Sequence, residues 1–198
     1  MGAAHASRAP VWLAPGVVAL RILIASTRPG RLGPTVARWV LEQVPASGFE
    51  VEVLDLADFA LPFLDEPREP SEGGYVHAHT RRWSAAVRDA EALLVVMPEY
   101  NRGYNAALKN AIDFLYAEWE GLPVACVGYG WYGARYAKAA LRQTLERVKM
   151  TVVEAPGLEL GTTLVDRQVV PDDELVRDLA RTFEGLRVAA ARSSRPRS

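Results

Sequence analysis

Apolar runs and segments of helical period alternate along this chain. Residues 17–25, VVALRILIA, are β-branched and apolar almost throughout, which predicts a strand covered on both faces. STRPGRLGP breaks that run, and residues 35–44 then place Val36, Val40 and Val44 on one helical face. A second strand is predicted at 49–56 and a helix at 77–90, with Trp83, Ala86, Val87 and Ala90 at compatible spacing. Between them, residues 58–74 carry Pro62, Pro67, Pro70, Gly73 and Gly74, an irregular loop of the length that often serves function. Further strands are expected at 92–97, at 123–127 and at 151–153, the last resumed after Pro156-Gly157. The predicted helix over 106–119, capped by Asn105, is so apolar that it implies a subunit interface as well as a core. Helices over 135–149 and from Asp172 onward complete the series, the last opened by Asp172, Asp173 and Glu174 where negative charge is favourable.

Strands alternating with helices imply right-handed crossovers and a parallel sheet. The predicted fold is α/β: a flavodoxin-like, doubly wound, five-stranded parallel sheet in the order 2-1-3-4-5 with helices on both faces. Ligands bind such sheets beyond the carboxyl ends of the strands, at the switch in strand order. Three unusual loops, 26–34, 98–105 and 128–133, follow strands 1, 3 and 4, so they should form one site. Residues 17–190 read as a single domain, preceded by a flexible segment at 1–16 and followed by a frayed basic tail at 191–198.

Composition narrows the partners. The 198 residues carry a net charge of -1, which gives no global electrostatic case for nucleic acid or an anionic membrane. No run reaches the length of a membrane span, and MGAAHASRAPVWLAPG lacks a continuous apolar signal region. One cysteine rules out an internal disulfide framework and fits the cytoplasm.

The loops carry the chemistry. Ser26, Thr27, Arg28, Arg31 and Gly33 lie between a strand and a helix start, where hydroxyls, guanidinium and free amides together suit a phosphate. The G-x-x-x-x-G-K-[ST] pattern of a nucleoside triphosphatase is absent. Pro98, Glu99, Tyr100, Asn101 and Gly103 offer an aromatic wall, an amide and a carboxylate to a planar ligand. Gly128, Gly130 and Gly133 form a literal G-x-G-x-x-G, but too little chain follows for a dinucleotide domain. Close backbone approach to a flat ligand is the better account of those glycines. Cys126 reads as a buried strand residue, Arg81-Arg82 as a solvated helix face, and Asp65-Glu66 as loop solvation. His77 and His79 lack the companions of a metal site, and no catalytic acid or base stands out.

ASTRPGRLGPTVARWV, LPFLDEP, PEYNRGYNAALKNAIDFL and GYGWYGARYA together resemble the NADPH-dependent FMN reductase family. The resemblance implies non-covalent FMN reduced by NADPH or NADH, a homodimer or homotetramer, and a small-molecule electron acceptor such as a quinone, azo or nitro compound or free flavin. By that likeness Ser26, Arg28, Arg31, Gly33 and Thr35 would hold the FMN phosphate. Pro98, Glu99, Tyr100, Asn101 and Gly103 would line the isoalloxazine, mainly through backbone, and Gly128, Tyr129 and Gly130 would close its other edge. Two alternatives share the same site: a flavin-supply or electron-transfer component serving a partner monooxygenase, and a non-redox biosynthetic enzyme. Many relatives have Gly-Ser where this chain has Ala25-Ser26. Trp131 and Tyr132 stand where relatives often carry small residues or His, and would narrow the cavity over the flavin.

Overall fold

Alternate side chains of β1 (Val18–Ile24) enter two different cores: Leu20, Ile22 and Ile24 pack to one face and Leu23 to the other. A strand buried on both sides is apolar almost throughout, and the one polar residue of β1, Arg21, pairs with Glu52 of the neighbouring strand. The computed structural model describes residues 16–193, so the expectations for 1–15 and 194–198 fall outside it. In chain order there follow α1 (Gly33–Glu42), β2 (Phe49–Asp55), a one-turn α2 (Leu56–Phe59), a 3₁₀ turn (Pro70–Glu72), α3 (Ala78–Arg88), β3 (Ala92–Tyr100) and β4 (Gly103–Tyr104). The rest comprises α4 (Ala106–Asp113), β5 (Pro123–Gly130), α5 (Arg135–Arg147), β6 (Thr151–Val153), β7 (Gly157–Glu159), β8 (Leu164–Val165), β9 (Gln168–Val169) and α6 (Asp173–Arg192).

The main sheet runs β2-β1-β3-β5-β6 with every neighbour parallel. β7 pairs with β5 beyond the break at Pro156, so the last strand does resume. With the two-residue β4 set aside, this is the predicted five-strand order. Helices α1 and α6 cover one face through Val36, Trp39, Val40, Leu179 and Phe183. Helices α3, α4 and α5 cover the other through Trp83, Val87, Leu108, Leu141 and Leu145.

The predicted helix over 106–119 ends early, at Asp113, and residues 114–121 run as turns. Two buried indoles stop it. Trp83 Nε1 donates to the Ala111 carbonyl at 2.8 Å, and Trp119 Nε1 donates at 2.9 Å to the Ile112 carbonyl, which also accepts from the Leu115 amide, so oxygens of the last turn are taken up outside the α-helical pattern. Leu108, Ile112, Phe114, Leu115 and Trp119 are all buried within the one chain. The apolar excess that implied a subunit interface is thus accounted for by the core, because the chain folds back beneath its own helix.

The loop 60–77 is largely exposed, as expected, but it is also braced by hydrogen bonds. Arg81 donates to the carbonyls of Tyr75 and Val76, and Arg82 to those of Asp58 and Phe59, so the paired arginines are structural. Glu66 accepts from the amides of Val76 and His77, and Asp65 bonds His79, so this acidic pair also ties the loop to itself.

Candidate functional site

Ser26, just beyond β1, and Pro98, near the end of β3, flank the switch in strand order between those two strands. Ser26 is fully buried against Gly33. A Cβ at Gly33 would come within 2.3 Å of Ser26 Oγ and 3.4 Å of the Tyr129 hydroxyl. Crowding therefore requires the glycine, and it brings hydroxyls from the ends of β1 and β5 onto the first turn of α1. That turn has no side-chain cap and no acidic residue. Its leading N–H groups have no helical acceptor, an arrangement that suits an anion.

Three buried polar atoms gather here without hydrogen-bond partners: Ser26 Oγ, Tyr129 Oη and Arg31 Nε. Burial pushes the Tyr129 phenol up to about 12, and the charges of Arg31 and Arg28 work against that rise. The Ser26 hydroxyl lies close enough to ease it more than either charge does, yet no bond of acceptable geometry joins the two oxygens. An orphaned buried donor destabilises the protein by about 1–3 kcal/mol, so three together mark a place prepared for a ligand.

Arg31 is divided between two tasks. Its Nη2 pairs with Asp55 at the end of β2, while Nε is buried without an acceptor. Asp55 Oδ1 in turn accepts from Ala57 N at 3.0 Å, which starts α2. From the opposite end of the sequence, Arg167 Nη2 donates to the Gly30 carbonyl at 3.1 Å and steadies the same loop. Neither Asp55 nor Arg167 was singled out by the sequence. Asp166-Arg167 forms a hairpin turn between Leu164-Val165 and Gln168-Val169, with both residues at positive φ.

The second loop is a tight hairpin. β3 continues through Pro98 to Tyr100, three residues past the predicted end, and pairs antiparallel with β4. Pro98 is tolerated because β1 has already stopped opposite Val96, leaving Pro98 a neighbour only in β5. Asn101 and Arg102 have φ of 51° and 62°, the signature of a type I′ turn. Asn105 occupies the N-cap position of α4 but does not cap it with its side chain. Instead Nδ2 donates to the Ala25 carbonyl at 2.7 Å, tying the second loop to the end of β1. The Glu99 carboxylate is committed too, since its Oε2 accepts from Tyr136 N at 3.0 Å and Ala137 N at 2.9 Å.

In the third loop the glycines serve packing within the chain. A Cβ at Gly128 would meet Ala134 Cβ at 2.5 Å, and one at Gly130 would meet Glu99 Cβ at 3.1 Å. A Cβ at Gly157 would lie 2.0 Å from the Gly133 carbonyl. The G-x-G-x-x-G thus lets Glu99, the start of α5 and β7 come close to β5. Tyr129 is buried among these glycines, while Trp131 and Tyr132 stand 72% and 50% exposed on the turn that follows. The Arg28 guanidinium lies 5.8 Å from the Tyr100 ring. The three loops therefore share one rim, as expected.

Residues given no role there stay away from it. Cys126 is buried in β5, and burial pushes its thiol up to about 12. Among the described residues there is no cluster of three or more metal-ligating side chains, and no helix long and apolar enough to cross a membrane. A surface hollow beside Thr151, Gly185, Val188 and Arg192 opens at the amino end of β6, at the other edge of the sheet.

The family model for NADPH-dependent FMN reductases matches residues 18–163, which include all three loops. The chain belongs to that family. It is 40% identical over 141 residues to an NAD(P)H-dependent FMN reductase of a Nectria species, spanning 67% of this chain and 70% of that protein. A quinone reductase of Pseudomonas putida is 31% identical over 153 residues, with 73% and 78% covered. Among solved structures, the flavoenzyme NAD(P)H:(acceptor) oxidoreductase of Paracoccus denitrificans superposes with a TM-score of 0.70 at 21% identity, over 89% of this chain and 99% of that one. This FMN reductase family member is an oxidoreductase that uses FMN and NAD(P)H.

Proposed function

We propose that this chain holds FMN on the rim and carries two electrons from NADPH or NADH to a small-molecule acceptor of the quinone class. The observation that carries the reading is the set of orphaned donors, Ser26 Oγ, Tyr129 Oη and Arg31 Nε, around the uncapped first turn of α1. A phosphate monoester supplies the acceptor oxygens that this set lacks. Ser26, Arg28, Arg31, Gly33 and Thr35 would hold that phosphate, with Tyr129 added through its hydroxyl. Pro98, Glu99, Tyr100, Asn101 and Gly103 would line one side of the ring, Glu99 through backbone alone because its carboxylate is already bonded. Gly128 and Gly130 would bound the remaining edge by letting α5 come close.

Bound FMN supplies the hydride and electron chemistry. The protein contributes position, charge and exclusion of water. Tyr100 gives an aromatic wall that Arg28 can brace, and no side chain on the rim is poised as an acid or base. The quinone class is favoured by the named activity of the Pseudomonas putida relative. The single thiol of the sequence, buried in β5, fits a reducing cytoplasm. Exposed Phe63 and Leu64 on the loop 60–77 supply apolar surface for a homodimer.

The test is the visible spectrum of the purified protein, followed by NADPH under anaerobic conditions and then 1,4-benzoquinone. Bleaching of a flavin band, restored by the quinone, is expected. A protein that neither carries nor takes up FMN refutes the site. Sedimentation at the 21.7 kDa of one chain rejects the dimer.

A further inference from the structure

Asp166 and Arg167 turn the β8–β9 hairpin with φ of 45° and 63°. A type I′ turn needs both values positive, and it favours glycine at the second position because a side chain is strained there. This chain has an arginine instead, and its Nη2 donates at 3.1 Å to the Gly30 carbonyl, 137 residues earlier in the sequence. The hairpin that presents it is firmly set. The Val170 amide donates to the Thr163 carbonyl at 3.0 Å, the Gly161 amide to the Leu164 carbonyl at 3.0 Å, and Leu164 is buried. Upstream, the Leu160 amide donates to the Gly130 carbonyl at 3.0 Å, so residues 160–167 run from the third loop to the first. Residues 164–169 lie past the stretch that the family model matches.

Gly30 belongs to the turn Arg28–Arg31, which is closed by one hydrogen bond of 3.1 Å from the Arg31 amide to the Arg28 carbonyl. Pro29 at its second position and Gly30, with φ of 69°, at its third fit a type II turn. The two arginines of the first loop stand at its ends. Nothing lies within 4 Å of a Cβ placed on Gly30, so the turn is not packed in on that side. A short turn closed by one bond opens readily. A second bond, from a fixed hairpin, narrows the range of positions that Arg28 and Arg31 sample. Ordering a site before its ligand arrives removes that cost from binding.

We propose that Arg167 is a positioning residue for the flavin phosphate: by holding the Gly30 carbonyl it fixes the turn that carries Arg28 and Arg31, and so sets how tightly FMN is retained. The proposal rests on the reading above in taking the first loop as the phosphate site. A hairpin that served the fold alone would be better closed by glycine, which is free of strain at that position. An arginine held there in the left-handed region points instead to the loop that its side chain reaches.

The full chain is titrated with FMN and with riboflavin, which differ by the phosphate alone, and quenching of flavin fluorescence follows the binding. R167G is run beside the wild type, because glycine removes the guanidinium and suits the turn, whereas alanine is strained at a φ of 63°. The wild type should hold FMN at least about tenfold more tightly than riboflavin. R167G should lose about fivefold in FMN affinity, about what one hydrogen bond to a carbonyl contributes, with riboflavin affinity unchanged. Its urea midpoint should stay close to that of the wild type, since relief of the turn offsets the lost bond. A general loosening of the fold would weaken both flavins alike. A variant that keeps the full margin between FMN and riboflavin, or that loses affinity for both equally, overturns the role of Arg167 and leaves the proposed function standing. If the wild type itself binds FMN and riboflavin equally, the phosphate reading of the first loop fails, and the role of Arg167 falls with it.

Discussion

Glu99 at the end of β3 and Tyr136 in the first turn of α5 are joined by a 3.0 Å hydrogen bond from the Tyr136 amide to Glu99 Oε2. The same oxygen accepts from Ala137 N. The residue before the helix is Ala134, which has no side chain able to cap it. Glu99 therefore caps the helix from a distance, with its charge at the favourable end of the dipole. Glu99→Gln should cost about 1 kcal/mol and Glu99→Ala about 2–3 kcal/mol, since only alanine leaves both amides without an acceptor. Urea unfolding measures both, and two variants as stable as the wild type would remove the cap.

Tyr129→Phe separates a ligand contact from a structural one. The hydroxyl is buried without a partner, so its removal should leave the flavin-free protein as stable or slightly more so. FMN affinity should fall about tenfold with the loss of one donor. Thermal melts with and without FMN, read beside a fluorescence titration, decide the matter. A loss of more than about 1 kcal/mol without flavin would mean that the hydroxyl has a protein partner after all.

Asn105 can be tested by the pattern of its substitutions. If it tethers the Ala25 carbonyl, Asn105→Ser and Asn105→Ala should be about equally harmful, at about 1–3 kcal/mol. If its side chain capped α4, serine would rescue. Denaturant midpoints of the two variants distinguish these outcomes.

Stability should fall at alkaline pH. Burial raises the Cys126 thiol from 9.0 to about 12 and the Tyr129 phenol from 10.0 to about 12. A group whose folded value is raised contributes stability that is fully present below its unfolded value and lost as pH climbs towards the folded one. The window is therefore pH 9 to 12, with a loss on the order of a few kcal/mol. Cys126→Ala should be less stable at pH 7 but show a shallower decline across that window. Unfolding free energies at a series of pH values provide the measurement, and parallel curves would show that the thiol is not responsible.

Strands β1, β3 and β5 were legible because each is buried on both faces and so reads as a run that is apolar almost throughout. Where apolar character and helical structure part company, the pattern misled: residues 114–121 are as apolar as a helix but run as turns beneath Trp83 and Trp119. Pro98 looked like a stop, yet a proline at a position already free of one neighbour forfeits nothing by lacking an N–H. The first loop was visible as strand, hydroxyls and arginines in the order that suits a phosphate. Its support was not. Asp55, Arg167 and the tether from Asn105 to Ala25 act across 24, 137 and 80 residues, respectively, and side-chain pairs so distant leave no local period. The glycines of the third loop were recognised as places of close approach, but not what approaches, because Ala134 and Gly157 reach them only in the folded chain.

The exposure of Trp131 has an optical consequence. Trp39, Trp83 and Trp119 are buried, so among the described residues this indole alone faces water. Its emission should lie at the long-wavelength end of the protein's spectrum and be readily quenched by a soluble collider such as acrylamide. Because it stands on the same rim as the three loops, the chain carries an intrinsic, label-free reporter of whatever settles there.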